Sequence, residues 1–399
     1  MEALSPQKKE PSFFNVFYNS VNMKRVPIFG TSSIRPLKIN YLRMNKQLCV
    51  LVSLSFAFNF AVSAQLLSGV FAKKYPIGAA VNSFMLKDSS IDSLLRLHFS
   101  SLTPDNEMKP EVTEPQEGAF HWKGADAIVA FAQKNHFKVR GHCLVWHQQT
   151  PAWFFLEHGK EASKKVLFQH MKEHIFAEMG RYKRKVYAWD VVNEAVSDTG
   201  KSIYRTESPW YQIAGKEYIA QAFRYAHKAD PKAILFYNDY NVFMPEKRMK
   251  VYTMLKELLK EGVPVQGIGI QGHWSLYQPT EKELRETLRL FASLGLKIQI
   301  TEMDVSLYHW EKNERTMRTG EQIVWNDSIA KVQADRYAMF FHVFNEFPKV
   351  ISGVTFWGVA DNRTWLDHYP IEGRKNYPLL FDTLYREKPA FHAVIESQR

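Results

Sequence analysis

Cysteine is almost missing from this chain: its 399 residues hold only Cys49 and Cys143. Two thiols this far apart exclude a disulfide framework and a cysteine-based zinc site, and no metal site is expected. A Gly-rich phosphate turn after an early strand is also missing, which removes the main sign of a doubly wound nucleotide-binding sheet. There are no internal repeats, low-complexity tracts or Pro/Ser-rich linkers, so one catalytic-sized domain is expected, with no appended binding module. Long hydrophobic runs are lacking too. The run Leu48–Val62 spans 15 residues, is broken by Ser53, Ser55 and Asn59, and is short for a membrane span.

The formal charge of +11 is unevenly placed. Residues 1–64 carry Lys8, Lys9, Lys24, Arg25, Arg35, Lys38, Arg43 and Lys46 against Glu2 and Glu10, a net +6 that leaves +5 for the remainder. Those remaining cations are scattered and form no dense basic stripe, so no nucleic-acid partner is expected. Residues 1–43 are polar, basic and without hydrophobic period. They are followed by Met44-Asn45-Lys46-Gln47, the apolar run, and Val62-Ser63-Ala64. A basic start, a short apolar core and a small-residue site make a secretory signal peptide over 44–64. Translation is expected to start at Met44, with 1–43 a non-native extension and 65–399 the mature domain. That domain would be secreted or periplasmic, monomeric, and free of stable membrane insertion after cleavage. An uncleaved anchor is the alternative.

From Leu66 onward strand-like and helix-like stretches alternate. Apolar runs predict strands at Pro76–Val81, Ser100–Thr103, Lys138–Trp146, Val186–Val192, Ala233–Asn238, Gly267–Trp274, Lys297–Thr301 and Gly353–Val359. Amphipathic segments such as Gly124–Asn135, Ala162–Met179, Lys216–Ala229 and Glu246–Glu261 lie between them. Eight alternations predict an α/β fold, a single (β/α)8 TIM barrel.

Such a barrel carries its active site at the C-terminal ends of its strands. Those ends hold Asp105, Asn106 and Lys109; His142, Trp146 and His147; Asn193 and Glu194; Asn238 to Asn241, with Tyr240; Gln271 and His273; Glu302 and Asp304; and Trp357. Taken singly, each has a duller reading. A histidine can be framework, an indole can be core, Lys109 can be a solvated charge and Asp304 a helix cap. Together they gather polarity at one rim, while the strand middles read as apolar. Glu194 and Glu302, far apart in sequence but at matching strand ends, are the pair that acid/base cleavage of a glycosidic bond requires. The aromatic content of 14%, with 10 Trp and 18 Tyr, fits stacking on sugar faces or a large aromatic core.

The stretches Asp105–Lys109 (D-N-E-M-K), Gly141–His147 (G-H-C-L-V-W-H), Trp189–Glu194 (W-D-V-V-N-E), Gln271–His273 (Q-G-H), Ile300–Asp304 (I-T-E-M-D) and Thr355–Trp357 (T-F-W) occur in this order at predicted strand ends. In them the chain resembles a glycoside hydrolase family 10 endo-β-1,4-xylanase over roughly residues 67–396. The resemblance implies retaining hydrolysis of xylan and xylo-oligosaccharides with no cofactor. It implies Glu194 as acid/base and Glu302 as nucleophile, with Asn193 at the sugar 2-hydroxyl. Gln271 and His273 would hold the nucleophile, and Asp304 would pair with His273. Lys109, His142, Trp146 and Trp357 would line the non-reducing side, with Asn106 on the next sugar out. Asp105 and Tyr240 would be further substrate contacts, though the family commonly has Glu in place of Asp105. An imidazole donating to Glu302 would favour its charged form and leave the proton with Glu194. Two other readings remain open at this point: another retaining β-1,4-glycanase, acting on cellulose or mixed-linkage glucan, and a non-catalytic carbohydrate-binding barrel. The loop from Ser306 to Glu321, with His309, Trp310, Arg315 and Arg318, is expected to overhang the site beyond Glu302.

Overall fold

The computed structural model describes residues 66–398; the expected extension and signal peptide lie outside the described residues. Eight parallel strands form a closed barrel: β1 (Ile77–Val81), β2 (Ser101–Pro104), β3 (Lys138–Trp146), β4 (Ala188–Asn193), β5 (Ile234–Asp239), β6 (Gly267–Ser275), β7 (Lys297–Ser306) and β8 (Ile351–Phe356). Each strand pairs with the next, and β8 closes on β1. A principal helix follows each strand: α1 (Ser89–His98), α2 (Lys123–Lys134), α3 (Lys164–Arg181), α4 (Glu217–Ala229), α5 (Pro245–Lys260), α6 (Glu281–Ala292), α7 (Asp327–Asn345) and α8 (Pro389–Glu396).

The helices start where local chemistry directs. Asp88 accepts from the Ser90 amide ahead of α1, and Ser163 and Asn326 cap α3 and α7 in the same manner. Thr280 and Glu283 form a reciprocal capping box at α6. Proline opens α5 and α8, where its missing N–H costs nothing. Each helix then buries one stripe, as α6 does with Leu284, Leu288 and Phe291. Truncating Phe291 to alanine would cost about 3–5 kcal/mol.

Two expectations need correction. Strand β7 was expected to stop at Thr301 but runs to Ser306, so Glu302 and Asp304 lie inside a strand. The apolar pattern breaks there because both carboxylates turn into the barrel mouth, where they find partners. The strand middles are not uniformly apolar either. Fully buried Arg140 on β3 pairs with both oxygens of Asp190 on β4, and its Nε donates to Gln299 on β7 at 2.8 Å. This polar layer fills the barrel below the rim, where each member satisfies its neighbours.

Candidate active site

Glu194 follows the last residue of β4, and Glu302 lies on β7. Both adopt left-handed backbone, with φ of 56° and 57°. Non-glycine residues enter that region at a cost on the order of 1–3 kcal/mol, and such outliers cluster at functional sites. At Glu302 the cause is visible in the register. Gln271 pairs with Thr301 and His273 with Asp304, so three steps on β7 face two on β6. The extra residue is Glu302, which the bulge aims into the mouth.

The two carboxylates have different company. Glu302 Oε2 meets His273 Nε2 at 3.1 Å, and its Oε1 accepts from Asn238 Nδ2 at 2.7 Å. His273 Nδ1 meets Asp304 Oδ2 at 2.9 Å, and Trp365 Nε1 donates to that same oxygen at 2.8 Å. With a carboxylate on each nitrogen, His273 donates from both. Burial opposes its charge, but Asp304 and Glu302 outweigh it and push its pKa up to about 10. Burial likewise opposes the charge on Glu302, yet the bond from His273, the nearby His142 and the Asn238 amide hold it down to about 2. Glu302 is therefore a buried anion beside a fixed cation.

Glu194 receives only uncharged donors. Asn193 Nδ2 and Gln271 Nε2 reach its Oε1 at 3.1 and 2.9 Å, and Trp146 Nε1 reaches its Oε2 at 2.9 Å. Gln271 was expected to hold Glu302; instead it serves Glu194 and Asn193. The bulge explains this, since it moves Glu302 beyond the step that faces Gln271 and into reach of His273. The bracing partner on that side is Asn238. Its amide nitrogen donates to Asn193 Oδ1 at 2.9 Å as well as to Glu302, and its Oδ1 accepts from Thr301 Oγ1 at 2.7 Å. Two asparagines thus link the two glutamates. A Cβ at Gly269 would lie 2.2 Å from Asn238 Oδ1, so glycine there makes room for the link.

Other rim residues also converge. Lys109 Nζ donates to Asn106 Oδ1 at 3.0 Å and lies 5.3 Å from the centre of the Trp146 ring. His142 Nδ1 meets Asp190 Oδ2 at 2.9 Å, and its ring packs edge-on to Trp357 at 5.4 Å. Trp357 also meets His273 edge-on at 6.1 Å. Asp105 is half-buried, whereas Glu107 carries the structural bond of its loop by accepting from the Ser83 amide at 2.5 Å. Tyr240 donates to Asp198 at 2.5 Å and accepts from Arg205 Nη2 at 3.2 Å. The Nε of Arg205 holds the backbone carbonyl of Glu194 at 3.1 Å.

The model of glycosyl hydrolase family 10 matches residues 67–397. This chain belongs to that family. It is 47% identical over 327 residues to the endo-1,4-beta-xylanase of Geobacillus stearothermophilus, covering 82% of this chain and 96% of that protein. It is 43% identical over 332 residues to endo-1,4-beta-xylanase B of Paenibacillus barcinonensis, covering 82% and 97%. Among solved structures, an endo-1,4-beta-xylanase from Caldicellulosiruptor owensensis superposes with a TM-score of 0.79 at 41% identity, covering 83% of this chain and 99% of that one.

Sequence reasoning left Asn238 without a specific role and missed Arg205, Asp190 and Trp365. Asp190 was readable as a carboxylate inside an apolar strand, and Trp365 as a second indole near Trp357. Nothing local marks Arg205, whose role comes only from folding back under Glu194.

Proposed function

We propose that this protein is a retaining endo-β-1,4-xylanase that cleaves internal bonds of xylan and xylo-oligosaccharides by double displacement. The unequal environment of two glutamates at one rim carries the reading. Glu302, charged and held by His273 and Asn238, is the nucleophile. Glu194, surrounded by neutral donors, is the acid/base. In the first step Glu302 attacks the anomeric carbon while Glu194 gives its proton to the glycosidic oxygen, forming a covalent glycosyl-enzyme. That ester removes the charge of Glu302. Glu194, now anionic, takes a proton from water, which attacks the same carbon and releases Glu302.

The other roles follow from position. Asn193 uses one amide hydrogen on Glu194, leaving the second for the sugar 2-hydroxyl. His273, oriented by Asp304, fixes the charge of Glu302, and Gln271 steadies Glu194. Lys109, His142, Trp146 and Trp357 line the sugar next to the cut on the non-reducing side, with Asn106 and Asp105 further out. Tyr240 lies on the side of the leaving chain. The composition of residues 44–64 supports export of a mature enzyme of residues 65–399, secreted or periplasmic; that it acts as a monomer, free of the membrane after cleavage, is part of the same proposal.

The test is Glu302→Ala, assayed with an aryl β-xylobioside in azide. Rescued turnover giving the α-configured glycosyl azide supports Glu302 as nucleophile; a β-azide, or no loss on mutation, overturns it.

A further inference from the structure

The segment that carries Asn106 and Lys109 is seated on α3. Lys109 precedes the short turn Pro110–Thr113. Its carbonyl accepts from the Thr113 amide at 3.0 Å and from Thr113 Oγ1 at 3.2 Å, while its Nζ reaches Asn106 and the Trp146 ring. Glu114 comes next and ties three elements together. Its Oε1 accepts from the Gly118 amide at 2.9 Å, and its Oε2 meets His174 Nδ1 of α3 at 2.8 Å. Its carbonyl accepts from Trp153 Nε1 of the loop after β3 at 3.0 Å. Asn106 and Lys109 therefore stand where Thr113 and Glu114 put them.

One turn along α3 from His174 lies Glu178, fully buried. Neither of its oxygens, nor His174 Nε2, meets a hydrogen-bond partner among the described residues. The Thr113 hydroxyl stands beside Glu178, but it has one hydrogen and already gives that to the Lys109 carbonyl. A protonated Glu178 can donate toward Thr113, whereas an ionised one has nothing to accept. Burial pushes the Glu178 pKa well above the usual range, and the Glu114 carboxylate adds to this against Thr113 and Arg181. Arg181 is half in water and bonded to Asp126 of α2 at 2.9 Å, so it offers Glu178 little. The remaining titratable neighbours are His174 and Tyr182, the latter also bonded to Asp126. Once ionised, Glu178 meets the Glu114 charge and no donor. Relief comes from moving the piece that carries Thr113 and Glu114 away from α3, and Lys109 and Asn106 go with it. Because the raised group keeps its proton at lower pH, this loosening sets in as pH rises.

We propose that Glu114, His174 and Glu178 form a proton-dependent seat for the Asn106–Lys109 segment, which loosens its hold on the sugars of the non-reducing side when Glu178 loses its proton. This rests on the xylanase reading and adds a control on affinity from outside the cleft. Glu178 is a positioning residue: it acts on KM through Thr113 and Glu114 and touches no substrate.

The test measures KM and kcat on p-nitrophenyl β-xylobioside, whose two sugars both lie on the non-reducing side. It runs from about pH 6 to about pH 9 in wild type, Glu178→Gln and Glu178→Leu. In wild type KM should rise about fivefold or more across this range. In both variants KM should stay level within about twofold, with kcat at the acid end as in wild type. A level KM in folded wild type, or a rise of the same size in either variant, overturns the proposal. So does a Glu178→Gln chain that fails to fold at the acid end, where the proposal has this residue neutral. A wild type inactive on both this substrate and xylan overturns instead the function on which the proposal stands.

Discussion

Replacing His273 with asparagine removes the only cation among the described residues that is bonded to Glu302 and Asp304. Glu302 would keep the Asn238 amide at 2.7 Å but lose the imidazolium at 3.1 Å, while burial, which disfavours its charge, remains. Its pKa should therefore rise from about 2 to the ordinary glutamate value of about 4.3 or beyond. A shift of that size corresponds to roughly 3 kcal/mol of stabilisation taken from the charged nucleophile. Attack requires the anion, so activity is lost as pH falls through this pKa. The acid limb of the kcat/KM profile on an aryl β-xylobioside should then move up by two units or more in His273→Asn. The broken buried pair would also lower stability by about 3–5 kcal/mol, so the profile should be taken well below the melting temperature. An acid limb that stays at the wild-type position would refute the claim that His273 sets the charge of Glu302.

Further outcomes follow from other parts of the molecule. Trp357 sits edge-on to both His142 and His273, and its bulk should exclude the hydroxymethyl arm that glucose has and xylose lacks. Trp357→Ala should therefore raise the aryl cellobioside-to-xylobioside ratio of kcat/KM while lowering the xylan rate; an unchanged ratio contradicts the steric role. Glu178 on α3 is fully buried near Glu114, and burial raises its pKa well above the usual range. The folded chain keeps a proton there that the unfolded chain releases above about pH 4.3, so stability falls as pH rises from that value toward the raised one. Glu178→Gln removes this slope, and its advantage over wild type should grow by about 1.4 kcal/mol per pH unit in that window. Chemical denaturation at pH 5 and pH 8 with the same difference at both would rule this out.

Much of the architecture could be read without coordinates, because buried parallel strands are apolar runs that end in polar residues. The ends of β3 and β6 fell within one residue of the observed bounds for that reason. The extension of β7 could not be read, since Glu302 and Asp304 break the apolar run, and what keeps them in the strand lies on β6 and in the loop after β8. Site residues that act from a strand end were legible individually, and the resemblance also implied the pairing of His273 with Asp304 and Glu302, but the partner of Gln271 was not legible. Whether Gln271 serves Glu194 or Glu302 depends on one bulge, and that is a property of register between strands, which spacing along one strand does not encode. Asn238 and Arg205 matter only because the barrel closes and the loop after β4 folds back.

The account is tested most directly by reducing-sugar release from xylan, carboxymethyl-cellulose and mannan in parallel, using purified residues 65–399 with Glu302→Ala as control. Release from xylan, lost in the variant and small or absent on the other two polymers, is the predicted result. Release chiefly from the glucan or the mannan, or release from xylan that survives Glu302→Ala, would contradict it.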